Sequence, residues 1–164
     1  MDDLIKILAK DFPSLSFVPG KSSRWSPKTQ EITYKVTPSK HTRWATFHEL
    51  GHALLGHSSY TSDFELLRLE VAAWQSAKEL AIKYGDRIND LHIQNCLDTY
   101  RDWLHRRSTC PICGVRSLQQ NKSTYHCFNC QSEWRVSTSR FCRAYRQLER
   151  ANQKSPTSPQ AIFS

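Results

Sequence analysis

The segment Thr46-Phe47-His48-Glu49-Leu50-Gly51-His52-Ala53-Leu54-Leu55-Gly56-His57 decides how the rest of the chain is read. On a helix, residues i and i+4 share one face with Cβ atoms about 5–6 Å apart, so His48 and His52 can reach one metal ion. Glu49 would flank that ion and could act as general base on a water molecule there. Trp44, Phe47, Leu50, Leu54 and Leu55 supply apolar flanks, and Gly51 leaves room beside the metal. The pattern predicts a helix over 41–57 carrying a zinc site.

A catalytic zinc takes three protein ligands and keeps a fourth position open. The third ligand is sought among His57, Asp63, Glu65 and Glu70. His57 lies about 140° round the helix from His52 if that helix continues, which turns it away. The metzincin pattern fails, because Leu55 and Ser58 stand where it needs Gly and His. In the next helical stretch Leu66, Leu67, Glu70, Ala73, Trp74, Ala77, Ala81 and Tyr84 form one apolar stripe. Glu70 sits inside the stripe and Glu65 on the polar side. A carboxylate on a buried face is costly unless paired or metal-bound, so Glu70 is the chosen ligand.

His48–His57, HELGHALLGH, followed by Leu67–Ala77, LRLEVAAWQSA, resembles the gluzincin metallopeptidases of the ImmA/IrrE type over roughly residues 25–80. The resemblance implies His48, His52 and Glu70 as zinc ligands and Glu49 as the base. It also implies an intracellular enzyme, several relatives of which cut DNA-binding repressors. SprT-like proteins are a second resemblance, because they join an HExxH domain to a zinc ribbon and act on proteins attached to DNA. They use a third His downstream, and here the next one after His57 is His92.

Cys110-Pro111-Ile112-Cys113 and Cys127-Phe128-Asn129-Cys130, with 13 residues between them, read as the two half-sites of a four-cysteine zinc ribbon. Gly114 suits the turn after the first, and Gln131 stands where a second Gly is usual. Cys96 and Cys142 stand alone and read as ordinary thiols. Residues 1–100 carry 12 Lys/Arg and 12 Asp/Glu, whereas residues 101–164 carry 11 and 3, so the excess of +8 lies in the C-terminal part. Tyr125, His126, Phe128 and Trp134 fall among Arg116, Lys122, Arg135, Arg140, Arg143 and Arg146. Such a mixture can stack bases and hold phosphates, or the aromatics can be the ribbon's own core.

Elsewhere the spacing predicts a helix over 2–11, extended stretches over 15–18 and 31–36, and helices over 62–84 and 89–106. The tail reads as a short basic helix over 141–150 and a disordered Gln/Ser/Pro-rich end over 153–164. The N-terminal stretch lacks a basic n-region and an uninterrupted apolar run, and no stretch approaches bilayer-spanning length, so a cytoplasmic protein is expected. The expected architecture is α+β and mainly helical. A zincin-like metallopeptidase domain with a small β-hairpin covers 1–106, a zinc ribbon 107–140, and a basic tail 141–164. Two zinc ions are expected, one catalytic and one structural. The expected partner is a protein substrate, with nucleic acid contact through the basic module. The alternative is a nucleic-acid- or protein-binding ribbon adaptor with an inactive HExxH domain.

Overall fold

Among the described residues four helices and two small sheets make an α+β fold. The computed structural model describes residues 1–137 and 146–148. Arg140, Cys142, Arg143 and the Gln/Ser/Pro-rich end lie outside the described residues. The chain divides into two units, Met1–Leu104 and the part from His105 onward.

In the first unit, α1 (Asp2–Asp11) turns Leu4, Ile5 and Leu8 inward. Strands β1 (Ser16–Gly20), β2 (Arg24–Ser26) and β3 (Glu31–Lys35) then form a sheet in the order β1-β3-β2. The central Ile32 lies opposite Phe17 in a parallel pair and Trp25 in an antiparallel pair, and it is fully buried. The expected β-hairpin is thus a three-stranded sheet. Its third strand, Arg24-Trp25-Ser26, is too short for an alternating pattern to show among the surrounding Ser, Gly and Pro residues.

Helix α2 (Lys40–Leu54) starts at a capping box: Ser39 Oγ accepts from the Thr42 N–H at 3.1 Å, and Thr42 Oγ1 accepts from the Ser39 N–H at 3.0 Å. Such a cap is worth about 1 kcal/mol. The helix ends three residues earlier than the apolar pattern predicts. Gly56 takes a left-handed φ of 67°, its N–H reaches the Ala53 carbonyl at 3.1 Å, and the His57 N–H reaches the His52 carbonyl at 3.0 Å. These two bonds are a Schellman ending, which a glycine one residue past the cap makes cheap. Leu54 and Leu55, read as apolar flanks, are about half exposed (48% and 47%) because they fall on this ending.

Helix α3 (Asp63–Lys83) begins at Ser62, whose hydroxyl accepts from the Glu65 N–H at 3.1 Å. It lies close against α2 at Gly51, where a Cβ would stand 2.6 Å from the Ala73 carbonyl oxygen. Gly51 is therefore needed for helix approach rather than for space beside a metal. Helix α4 (Asp90–Ser108) adds Ile93 and Leu97 to a core that includes Leu8, Trp44, Phe47, Leu50, Trp74 and Leu80. Asp86, between α3 and α4, accepts from Arg43 Nε at 3.0 Å. Among the described residues no helix is long and apolar enough to cross a membrane.

The second unit holds a sheet in the order β4-β5-β6-β7: Leu118–Gln119, Thr124–His126, Glu133–Val136 and Arg146–Leu148. Within the stretch expected to be a basic helix, the described residues Arg146–Leu148 are a strand paired with β6. Tyr125 and Trp134 are buried and stack with ring centroids 5.6 Å apart. Trp134 Nε1 donates to the Arg107 carbonyl at 2.9 Å.

Candidate metal centres

The period of α2 puts His48 and His52 on one face, and the close approach at Gly51 brings Glu70 of α3 over them. His48 Nε2 lies 3.2 Å from His52 Nε2 and 3.1 Å from Glu70 Oε2, while His52 Nε2 lies 3.7 Å from Glu70 Oε1. A tetrahedral zinc with bonds of about 2.0–2.1 Å holds its donors about 3.3–3.4 Å apart, so this spacing fits the ion. Glu70 is buried (6% exposed), and its Oε2 makes no well-formed hydrogen bond despite its imidazole neighbour. Burial alone would raise its carboxyl, but the imidazoles of His48 and His52 outweigh that and hold it far below the usual carboxylate range. An orphaned buried carboxylate oxygen beside two imidazole nitrogens is a donor set suited to a cation.

The two imidazoles are oriented by different means. His48 stacks on the Trp74 indole at 4.3 Å, and its Nδ1 is buried without a hydrogen-bond partner among the described residues. His52 Nδ1 lies 2.8 Å from His57 Nδ1. The Schellman ending bends His57 back to this position, so the turning away that a continued helix would cause does not occur. Burial, then the neighbouring His52, lower the His57 pKa. His57 meets His52 on the ring edge opposite Nε2 and so stands behind that ligand rather than beside it.

Glu49 points to strand β2, where its Oε2 accepts the Trp25 backbone N–H at 2.7 Å. The Trp25 indole N–H donates to the His57 carbonyl at 2.8 Å. A cleft of about 160 Å³ opens beside His52, with Trp25, Pro27, His57, Tyr60, Leu66 and Leu69 among its lining. The other carboxylates stay outside the cluster. Glu65 is held by the Thr61 hydroxyl and N–H, both at 2.6 Å, which lower its pKa. Asp63 is buried at the start of α3 without joining the metal-competent group. Cys96 lies 3.7 Å from His92 Nε2, and burial, then the Glu70 charge, raise its pKa. Sequence reasoning did not assign Trp25 a role, and the signal for His57 was Gly56 as a helix-ending residue.

In the second unit Cys110, Cys113, Cys127 and Cys130 bring their sulfurs within 4.8 Å of one another. Cys110 and Cys130 are 3.6 Å apart, and Cys113 and Cys127 are 3.5 Å apart. A disulfide would need about 2.05 Å, whereas a tetrahedral Zn–S site sets about 3.8 Å. Burial pushes the Cys110 thiol up, but the N–H groups of Cys113 and Ile112 and the Ser132 hydroxyl pull harder, to about 6. The Cys130 N–H lowers Cys127 similarly. The four sulfurs fit a closed, all-thiolate zinc site.

The two cysteine turns are alike. The Gly114 N–H reaches the Cys110 carbonyl at 3.0 Å, and the Gln131 N–H reaches the Cys127 carbonyl at 2.7 Å. Both residues are left-handed, with φ of 73° and 60°. Gln131 stands there without glycine's freedom, and its side chain donates to the Phe128 carbonyl at 2.9 Å. Tyr125 and Trp134 are core residues, so only His126 and Phe128 of the four aromatics stay outside the buried cluster.

Comparison with protein-family models, with curated proteins and with solved structures finds no match.

Proposed function

We propose that the chain is an intracellular zinc metalloendopeptidase of the gluzincin type, with a zincin-like domain and a C-terminal zinc ribbon. Its substrate class is a protein, and the ImmA/IrrE resemblance makes a DNA-associated regulator the favoured one. The observation that carries this reading is the buried trio of His48, His52 and Glu70, with donor atoms 3.1–3.7 Å apart, beside an apolar cleft. A zinc ion held by these three residues would supply a Lewis acid that polarises the scissile carbonyl and acidifies a water molecule.

The chain's own residues supply the rest. Glu49 takes the proton of the attacking water and returns it to the leaving amine. The Trp25 N–H holds one oxygen of Glu49, so Oε1 is the one left for that proton. The apolar cleft beside His52 takes a substrate side chain and sheds its water. Tyr60 and His57 line the cleft and are the candidate donors to the oxyanion, whereas Arg43 is engaged by Asp86. The ribbon recognises the substrate or its DNA, and its exposed Ile112 and Phe128 (60% and 63%) favour a protein contact.

The test is Glu49→Gln, incubated beside the wild type with cell extract, with new termini read by mass spectrometry and zinc measured on the same samples. Zinc content should stay the same and cleavage should fall about 10²–10⁴-fold, the usual worth of a general base. A variant that keeps its zinc and all of the wild-type activity would sink the peptidase and leave the adaptor.

A further inference from the structure

The two histidines of the helix site differ in what stands behind them: an indole face for His48, a second imidazole for His52. The Nδ1 atoms of His52 and His57 are 2.8 Å apart, a distance that requires one proton between them. Two arrangements are open. If His57 donates, neutral His52 carries its own proton on Nε2, aimed at His48 and Glu70, and that nitrogen is lost as a ligand. If His52 donates, its Nε2 lone pair is available, and His57 carries its proton on Nε2.

We propose that His57 is a positioning residue that accepts the His52 Nδ1 proton, thereby fixing the tautomer and ring angle in which His52 Nε2 binds the metal. This rests on the metal-site reading of His48, His52 and Glu70. His57 is itself restrained at three points. Its N–H is bonded to the His52 carbonyl at 3.0 Å, its carbonyl to the Trp25 indole at 2.8 Å, and its ring to His52. Gly56, left-handed with φ 67°, makes the bend that allows all three. An acceptor behind a ligating histidine is usually a carboxylate or carbonyl. Here a neutral imidazole does the same work without adding negative charge beside Glu70.

The experiment compares full-length wild type, His57→Leu, His57→Asn and Trp25→Phe. Zinc affinity of the helix site is measured by competition with a chelating dye, and retention of the ribbon zinc serves as the folding control. His57→Leu fills similar space without an acceptor and should bind zinc about 10–100-fold more weakly, the usual cost of losing a group behind a ligand. His57→Asn can place Oδ1 near the lost Nδ1 and should recover most of the affinity. Trp25→Phe keeps the backbone N–H on Glu49, loses only the indole bond, and should give a smaller drop.

In the zinc-loaded wild type, histidine ¹⁵N shifts should report His52 protonated at Nδ1 and His57 at Nε2. That readout stands even if His57→Leu does not fold. Equal affinity of His57→Leu and wild type, an Asn variant no better than Leu, or the opposite tautomers would each overturn the proposal. A wild type that binds a single zinc, at the cysteines, would instead remove the helix metal site itself.

Discussion

His48, His52 and Glu70 are carried by two helices packed in a broad apolar core, whereas the four cysteines are carried by two turns with hardly any core behind them. Around the helix trio lie Trp44, Phe47, Leu50, Trp74 and Ala77, and none of these is a donor. Among the described residues the buried cluster of the second unit is Cys110, Tyr125, Cys127, Trp134 and Val136, so two of its five members belong to the four-sulfur group. One site is an addition to a fold that apolar burial already supports. The other, once loaded with metal, would be part of what holds its fold together. Three donors beside a cleft leave a zinc position free for chemistry, whereas four sulfurs would fill its tetrahedron and suit structure.

Metal removal breaks this comparison most directly. Stripping the ribbon site should unfold the second unit, since structural zinc supplies about 10–16 kcal/mol in small zinc modules at neutral pH. Trp134 should then become exposed and its fluorescence shift to the red, while far-UV circular dichroism keeps the signal of α1–α3. An unchanged Trp134 signal in fully metal-free protein would erase the distinction.

Next in size is Glu70→Gln, which should cost the helix site more than the 10–100-fold typical of a residue behind a ligand. Glu65→Gln should leave zinc affinity unchanged, because that carboxylate is engaged by Thr61. Equal effects in dye competition would mean that the trio is not the donor set.

Gly51→Ala sharpens the contrast. Its methyl would meet the Ala73 carbonyl at 2.6 Å, so α2 and α3 must part. We expect about 1–3 kcal/mol of destabilisation in the first unit, read by denaturant unfolding, with the ribbon zinc retained.

The smallest expected effect compares the two cysteine turns. Gln131→Gly relieves a left-handed residue and should stabilise the zinc-loaded ribbon by about 0.5–1 kcal/mol. Gly114→Ala should destabilise it by about 1–2 kcal/mol, seen as a lower melting temperature.

Much of this arrangement was readable from residue spacing. A helix period puts His48 and His52 together, and the apolar stripe separates buried Glu70 from half-buried Glu65. Two CxxC pairs bring four sulfurs together because each tight turn needs only local hydrogen bonds. Features that depended on a backbone ending or a distant partner were not readable. The apolar pair Leu54 and Leu55 extended the helix on paper, while Gly56 ended it and turned His57 back. β2 is three residues long and is a strand only because β3 lies beside it. Tyr125 and Trp134 could be read as base-stacking residues or as the ribbon's own core, and their burial against each other separates the two.

The contact between Gly51 and the Ala73 backbone also bears on which ion the helix site accepts. Side chains can rotate to suit a larger guest, but two helix backbones in contact give way only by moving whole helices. Donors held 3.1–3.7 Å apart match a cation with short bonds. Calcium, with oxygen bonds of about 2.3–2.6 Å and six to eight ligands, would need a wider and more crowded cage. A single missing methyl group, at the α2–α3 contact, thus acts as a gauge of ionic radius.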